Sequence, residues 1–230
     1  MVTQDQAKEA AAQAAASLVL DGMIVGLGTG TTAKFAVDAL AQRMRDGLRF
    51  TAVPTSEATA QQARSLGIPL VDLDRPIDLT IDGADEIDPK TLNLIKGRGG
   101  ALLREKLVAA ASKQLIIVAD NSKLVEHLGS KMPVPVEVIP FGWRSTAQRL
   151  EALGCTAVLR QGFTTDGGHS ILDCAFGVIA DPESLAHQID AITGVVEHGL
   201  FLNLATQAVV AGVGQPLWLR RPPRPPRRDV

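Results

Sequence analysis

Cysteine is scarce in this chain, and long apolar runs are missing. The two cysteines, Cys155 and Cys174, have neither CxxC nor Cys/His spacing, so they read as small buried side chains rather than metal or redox ligands. No stretch approaches the roughly 18 uninterrupted apolar residues of a membrane span, and MVTQDQAKEA at the start lacks the basic opening of a secretory signal. A cytoplasmic protein with no membrane association is expected. Excess basic charge is also missing. The net charge is −2, and the tail RRPPRPPRRDV (220–230), with five Arg and one Asp, is locally +4, which leaves −6 over residues 1–219. An acidic body speaks against nucleic acid as the main ligand, while a local basic pocket for a small phosphorylated substrate stays compatible with it. The Arg/Pro tail is expected to be extended, solvated and disordered.

What the chain does contain suits a compact α/β protein: 230 residues, 46% hydrophobic and 21% charged. Thr3 and Gln6 form a capping box for an Ala-rich helix to about Leu20. Apolar segments at 23–28, 50–54, 68–73, 78–82 and 114–120 then alternate with a helix that TGTT (29–32) leads into and with helices beginning at 56 and 100. These strands are apolar throughout rather than alternating in polarity, which indicates a Rossmann-like, mostly parallel sheet covered by helices on both faces. The rhythm changes at Pro133. Strands at 133–140, 156–161, 171–178 and 194–202, with helices at 144–154 and 182–192, give the β-α-β-β-α-β order of a split βαβ, ferredoxin-like unit. The expected division is therefore 1–132, completed by 205–219, and a small α+β domain at 133–204, although by pattern alone ATQAVVAGV (205–213) either returns to the first sheet or extends the second.

The chemistry-bearing residues gather at strand ends. GLGTGTT (26–32) joins a strand to a helix, where backbone N–H groups and the helix dipole meet an anion. Thr31 stands where the dinucleotide fingerprint needs its last glycine, VPTS (53–56) offers no acid for a ribose hydroxyl, and no Gly-Lys-Ser/Thr follows. NAD and a Walker loop are both disfavoured, and a cradle for a single phosphate remains. In DLTIDGADEIDP (78–89), Asp82 and Asp85 face a cleft beyond the strand, whereas Asp88 beside Pro89 marks a turn. Carboxylates there could bind Mg²⁺, or accept hydrogen bonds from a polyol and move its protons. In IKGRGGALLREK (95–106), Lys96 precedes a glycine loop that runs straight into a helix. Leu102, Leu103, Leu107 and Ala111 make that helix apolar nearly all round, so Glu105 is either a buried carboxylate with a raised pKa, a general base, or a first-turn Glu that only favours the helix dipole. ADNSK (119–123) brings Lys123 to a third strand end, the edge at which open parallel sheets bind ligands.

Taken together, GLGTGTT, DLTIDGADEID, KGRGGALLREK and ADNSK, in that order, with PVEVIPFGW and GVVEHGLF further on, resemble the ribose-5-phosphate isomerase type A family over about residues 3–213. The resemblance implies an aldose–ketose isomerase of the non-oxidative pentose phosphate pathway, homodimeric or homotetrameric, needing no metal or nucleotide cofactor. It implies that Glu105 moves a proton between C1 and C2 through an enediol(ate), that Asp82 and Asp85 bind hydroxyls and assist ring opening, and that Lys96 counters the oxyanion. Thr29, Gly30, Thr31 and Thr32, the Gly83–Ala84 backbone, Gly97, Arg98, Gly99 and Lys123 would complete the substrate site. Two features depart from the family pattern: Arg98 interrupts a loop usually written KGGG, and the Arg/Pro tail lies outside the match. A sugar-phosphate sensor and a Mg²⁺-dependent phosphotransferase built on the DGADE acids are the competing functions.

Overall fold

The computed structural model describes residues 3–212 and 215–221. Helix α1 (Gln4–Ala16) opens on the expected capping box, in which Thr3 Oγ1 accepts the Gln6 N–H at 3.2 Å and Gln6 Oε1 accepts the Thr3 N–H at 2.9 Å. Strands β1 (Ile24–Leu27) and β2 (Thr51–Pro54) are joined by α2 (Thr31–Arg45), and α3 (Glu57–Ser65), capped by Ser56, leads to β3 (Leu79–Asp82). Short strands β4 (Glu86–Ile87) and β5 (Leu94–Ile95) precede α4 (Leu102–Ala110) and β6 (Leu115–Asp120). The second half supplies β7 (Val134–Val138), α5 (Trp143–Glu151), β8 (Thr156–Leu159), β9 (Ser170–Ala175), α6 (Pro182–Asp190), β10 (Val195–His198), β11 (Leu200–Phe201), β12 (Gln207–Ala211) and β13 (Leu217–Arg220).

These strands form three sheets. The largest has the order β13-β12-β6-β3-β1-β2, parallel except for β13, which runs antiparallel to β12. Its strands β1, β3, β6 and β12 are buried on both faces, as the continuous hydrophobic runs require, while β13 at the edge is largely exposed. Along β6, Ile116 and Val118 join a cluster with α1 and α2, while Leu115, Ile117 and Ala119 pack on the opposite side with Ala109 of α4 and Phe201. Truncating one such fully buried side chain, Leu40 or Ile117, to Ala costs about 2–5 kcal/mol. The four-stranded sheet is antiparallel with order β10-β7-β9-β8, the arrangement a split βαβ unit produces, and α5 and α6 cover one of its faces. Strands β4, β5 and β11 form the third sheet, which ties the two halves of the chain together.

Three expectations change on contact with the structure. The segment 68–73 makes one bridge on the outer edge of β2, Ala52 to Leu70, because Pro69 has no N–H to donate, and Val71 and Leu73 beyond it are exposed. The run 194–202 divides into β10 and β11 at Gly199, whose N–H donates to Pro135 O at 2.7 Å and whose O accepts Lys96 N–H at 2.8 Å. A Cβ at Gly199 would overlap Lys96 O, so this crossing of three chain segments admits only glycine. Arg220 lies in β13 and Arg221 N–H bonds Thr206 O at 3.1 Å, so the sheet reaches into the segment read as a tail; residues 222–230 lie outside the described residues. No helix among the described residues is long and apolar enough to cross a membrane.

Candidate active site

In the order β2-β1-β3-β6 the direction of chain progression reverses between β1 and β3, which leaves a crevice beyond their carboxyl ends. There Leu27 lies in register with Ile81, and Gly28 donates its N–H to Ile81 O at 2.9 Å. The two motifs GLGTGTT and DLTIDGADE are thereby pressed against each other. A Cβ on Gly28 would overlap Asp82 Oδ1, and one on Gly26 would overlap Thr80 Oγ1, so these glycines serve the close approach of two strands rather than a ligand. Gly30 has φ 104° and caps α2, whose first-turn amides have no intrahelical partner and open on the crevice.

At the bottom of the crevice is a lysine shared by two carboxylates. Lys96 Nζ stands 3.0 Å from Asp82 Oδ2 and 3.1 Å from Glu105 Oε1, and donates to Gly83 O at 2.6 Å. All three side chains are almost inaccessible, at 2%, 1% and 4% exposure. Burial alone would lower the ammonium's pKa, but the Asp82 and Glu105 carboxylates outweigh it and hold Lys96 charged, well above the usual lysine range. Burial raises the Glu105 carboxyl to about 8; the nearby Asp82 and Asp85 charges push the same way, and Lys96 only partly opposes them. Burial also raises Asp82, against the pull of Lys96 and of the Gly83 and Thr29 amides that donate to its Oδ1 at 2.7 and 3.1 Å. Two buried carboxylates facing one ammonium hold a proton between them near neutrality. Glu105 Oε2 has no hydrogen-bond partner among the described residues.

Thirteen of the fourteen site residues expected from the sequence line one cavity of about 80 Å³ around this triad. Its walls are Thr29 to Thr32 on one side, Gly83, Ala84 and Asp85 on another, and Lys96 to Gly99 with Glu105 and Lys123 on the remainder. Asp82 is the exception, since it stands behind Lys96. Asp85 Oδ2 accepts the Arg98 N–H at 2.9 Å, which fastens the acidic loop to the glycine loop. Lys123 sits in a 3-10 turn (Asn121–Lys123), and its ammonium makes no ion pair among the described residues. Not every side chain points as its motif suggests. The Thr29 hydroxyl is turned into the protein, 2.8 Å from those of both Thr55 and Ser56, so this residue meets the cavity mainly with its backbone. Arg98 is exposed. Leu107 is 52% exposed, so α4 is not apolar all round, and Glu105 is buried because it shares a face with Leu102, Val108 and Ala109. A larger cavity of about 600 Å³, between α3 and α4, is lined by Glu57, Arg64, Leu73 and Arg104 and holds no comparable buried cluster.

The acids of the opening motif divide by partner. Glu86 is wholly buried and accepts three backbone N–H groups, from Gly129, Lys131 and Met132 at 2.6–2.8 Å, so it anchors a loop. Asp88 accepts Lys90 N–H and Thr91 Oγ1 and closes a turn. Asp82 and Asp85 belong to the crevice.

Residues 51–214 match the family model for ribose 5-phosphate isomerase A (phosphoriboisomerase A). The chain belongs to the ribose 5-phosphate isomerase A family. A ribose-5-phosphate isomerase A from Synechococcus sp. (strain JA-3-3Ab) is 61% identical over 220 residues, covering 92% of this chain and 96% of that protein. The solved ribose 5-phosphate isomerase A of Methanocaldococcus jannaschii superposes with a TM-score of 0.92 at 38% identity, covering 95% of this chain and all of that one. A D-ribose-5-phosphate isomerase solved in complex with phospho-erythronic acid gives the same TM-score at 36% identity, with 95% and 100% coverage. By this membership the protein is an isomerase.

Two features of this crevice escape motif reading. The hydroxyls of Thr55, Ser56 and Thr59 form a buried network beneath Thr29, and VPTS offered only its hydroxyl pair as a signal. Arg160, sixty residues beyond the glycine loop in sequence, donates to Gly97 O and Arg98 O, and nothing in LRQG distinguishes it from a surface arginine.

Proposed function

We propose that this chain interconverts ribose 5-phosphate and ribulose 5-phosphate in the non-oxidative pentose phosphate pathway, with Glu105 as the base. The observation that carries the assignment is the free Glu105 Oε2, buried and poised near neutral pH beside a charged lysine. Deprotonated, Glu105 takes the proton from C2 of the open-chain aldose and returns it to C1, forming and collapsing a cis-enediolate. Lys96 faces the oxygen on which negative charge develops, and its burial leaves that attraction unscreened by water. Asp82 holds Lys96 and the Thr29 amide in place from behind. Asp85, at the wall, binds hydroxyls, assists ring opening and carries a proton between O1 and O2.

The substrate phosphate lies at the start of α2, where the Gly30–Thr32 backbone and the Thr31 and Thr32 hydroxyls donate and the Lys123 ammonium supplies charge. The phospho-erythronic acid of the solved relative fits the same description, since it joins a phosphate to a planar carboxylate that imitates the two oxygens of an enediolate. None of these steps uses a metal. The assembly in this reading is a homodimer or homotetramer in the cytoplasm, supported by Phe141, a large apolar side chain left 93% exposed. The test is ribulose 5-phosphate formation by the purified chain in excess EDTA. Turnover supports the isomerase, whereas binding without conversion would make the chain a sugar-phosphate sensor, and activity restored only by Mg²⁺ would favour phosphotransfer at the acids.

A further inference from the structure

We propose that Arg160 is a positioning residue that orients the amides of the glycine loop toward the substrate. It follows β8, in the antiparallel sheet, and four of its five N–H donors are taken by two sets of partners. Nε and Nη2 form a fork with Asp173 on β9, at 3.0 and 2.5 Å. Nη1 donates across the interface between sheets to Arg98 O at 2.9 Å and Gly97 O at 3.3 Å. The Asp173 fork fixes the guanidinium plane, so the direction of the third arm is set by the small sheet rather than by the loop that receives it.

The consequence follows from peptide geometry. There is no cis peptide among the described residues, so each C=O points away from the N–H of the same peptide unit. The Gly97 carbonyl, which the Gly100 N–H also holds at 2.9 Å, points out toward Arg160 and so turns the Arg98 N–H inward, where it meets Asp85 Oδ2 at 2.9 Å. Drawing the Arg98 carbonyl out turns the Gly99 N–H toward the cavity that Gly99 lines. The same cation polarises both peptides and strengthens these amides as donors to an anion. Phe163 completes the brace. Its ring lies 5.5 Å from the guanidinium and occupies the place a Cβ on Gly100 would take, so the end of the loop rests on it. Gly97 and Gly100 have φ of 102° and 80°, conformations that this external support holds.

Arg160 does not touch the reacting atoms; it acts through the loop. The inference rests on the assignment of the glycine loop to the substrate. Arg160→Ala is expected to lower kcat/KM about 10- to 100-fold, as small displacements of binding groups do. Millimolar guanidinium should restore part of that loss without affecting wild type or Glu105→Gln. Asp173→Asn keeps the shape but weakens the anchor, and should give a smaller loss of the same kind with an unchanged thermal midpoint. If Arg160→Ala proves unfolded, Asp173→Asn and Arg160→Lys carry the test, because lysine cannot hold Asp173 and both carbonyls together. Wild-type kinetics in a folded Arg160→Ala, or a loss in Asp173→Asn that merely follows melting, would overturn the proposal. A wild type without isomerase activity would instead sink the functional assignment itself, so the two failures are distinguishable.

Discussion

Replacing Glu105 by Gln is expected to disable the site and yet strengthen the fold at alkaline pH. The carboxyl is raised from an ordinary value of 4.5 to about 8, chiefly by burial. A group whose folded pKa lies above its unfolded one favours the native state while both forms are protonated, and that contribution is lost as pH climbs toward the folded value. The loss therefore runs from about pH 4.5 to about pH 8, and at 1.36 kcal/mol per pH unit it cannot exceed about 5 kcal/mol. Glutamine removes the titration but still offers Lys96 an acceptor at the position of Oε1. The variant escapes that pH-dependent loss, so its gain on the wild type between acid and alkaline pH is bounded by the same figure of about 5 kcal/mol. Urea unfolding of both proteins at about pH 5 and about pH 9 reads the difference directly, and the variant should gain on the wild type as pH rises. Activity should move the opposite way: kcat/KM of the wild type increases with pH through the Glu105 titration, since the base works deprotonated. Parallel stability curves for the two proteins would refute the claim that Glu105 is held protonated by burial.

Other outcomes follow from the same contacts. Lys96→Ala leaves Asp82 and Glu105 facing each other without a cation, and should cost about 3–5 kcal/mol in chemical unfolding as well as turnover. Gly28→Ala places a methyl on Asp82 and should destabilise by at least about 1–3 kcal/mol while lowering kcat, because Asp82 and Lys96 move together. Glu86→Ala strips three backbone amides of their acceptor and should cost at least about 2 kcal/mol in stability. Lys123→Ala should raise KM for the sugar phosphate and weaken the salt dependence of binding, with kcat changed less.

The parallel sheet was legible because its strands are buried on both faces, and the split βαβ unit because its elements follow one another without long excursions. What sequence periodicity missed was short or contextual. Glu86–Ile87, Leu94–Ile95 and Leu200–Phe201 are strands of two residues each, the first two paired with each other and the second also with the distant third, and a run of that length carries no period. The break at Gly199 is dictated by the Lys96 and Pro135 carbonyls, which no local window contains. In the site, residue identity and order placed Glu105, Lys96, Asp85 and the Thr-rich loop around one cavity. Periodicity left the burial of Glu105 undecided, and Leu107, counted as core on its apolar character, is open to solvent. Asp82 and Thr29 show the limit most clearly: the motif names them, but only packing reveals that Asp82 stands behind Lys96 and that the Thr29 hydroxyl faces away.

The most direct test of Glu105 as the base is a comparison of wild type and Glu105→Gln in excess EDTA, with ribulose 5-phosphate formation and ribose 5-phosphate binding measured on the same preparations. The account predicts turnover in the wild type and a loss of about 10²-fold or more in kcat for the variant, with binding retained. Equal kcat in the two proteins would contradict it.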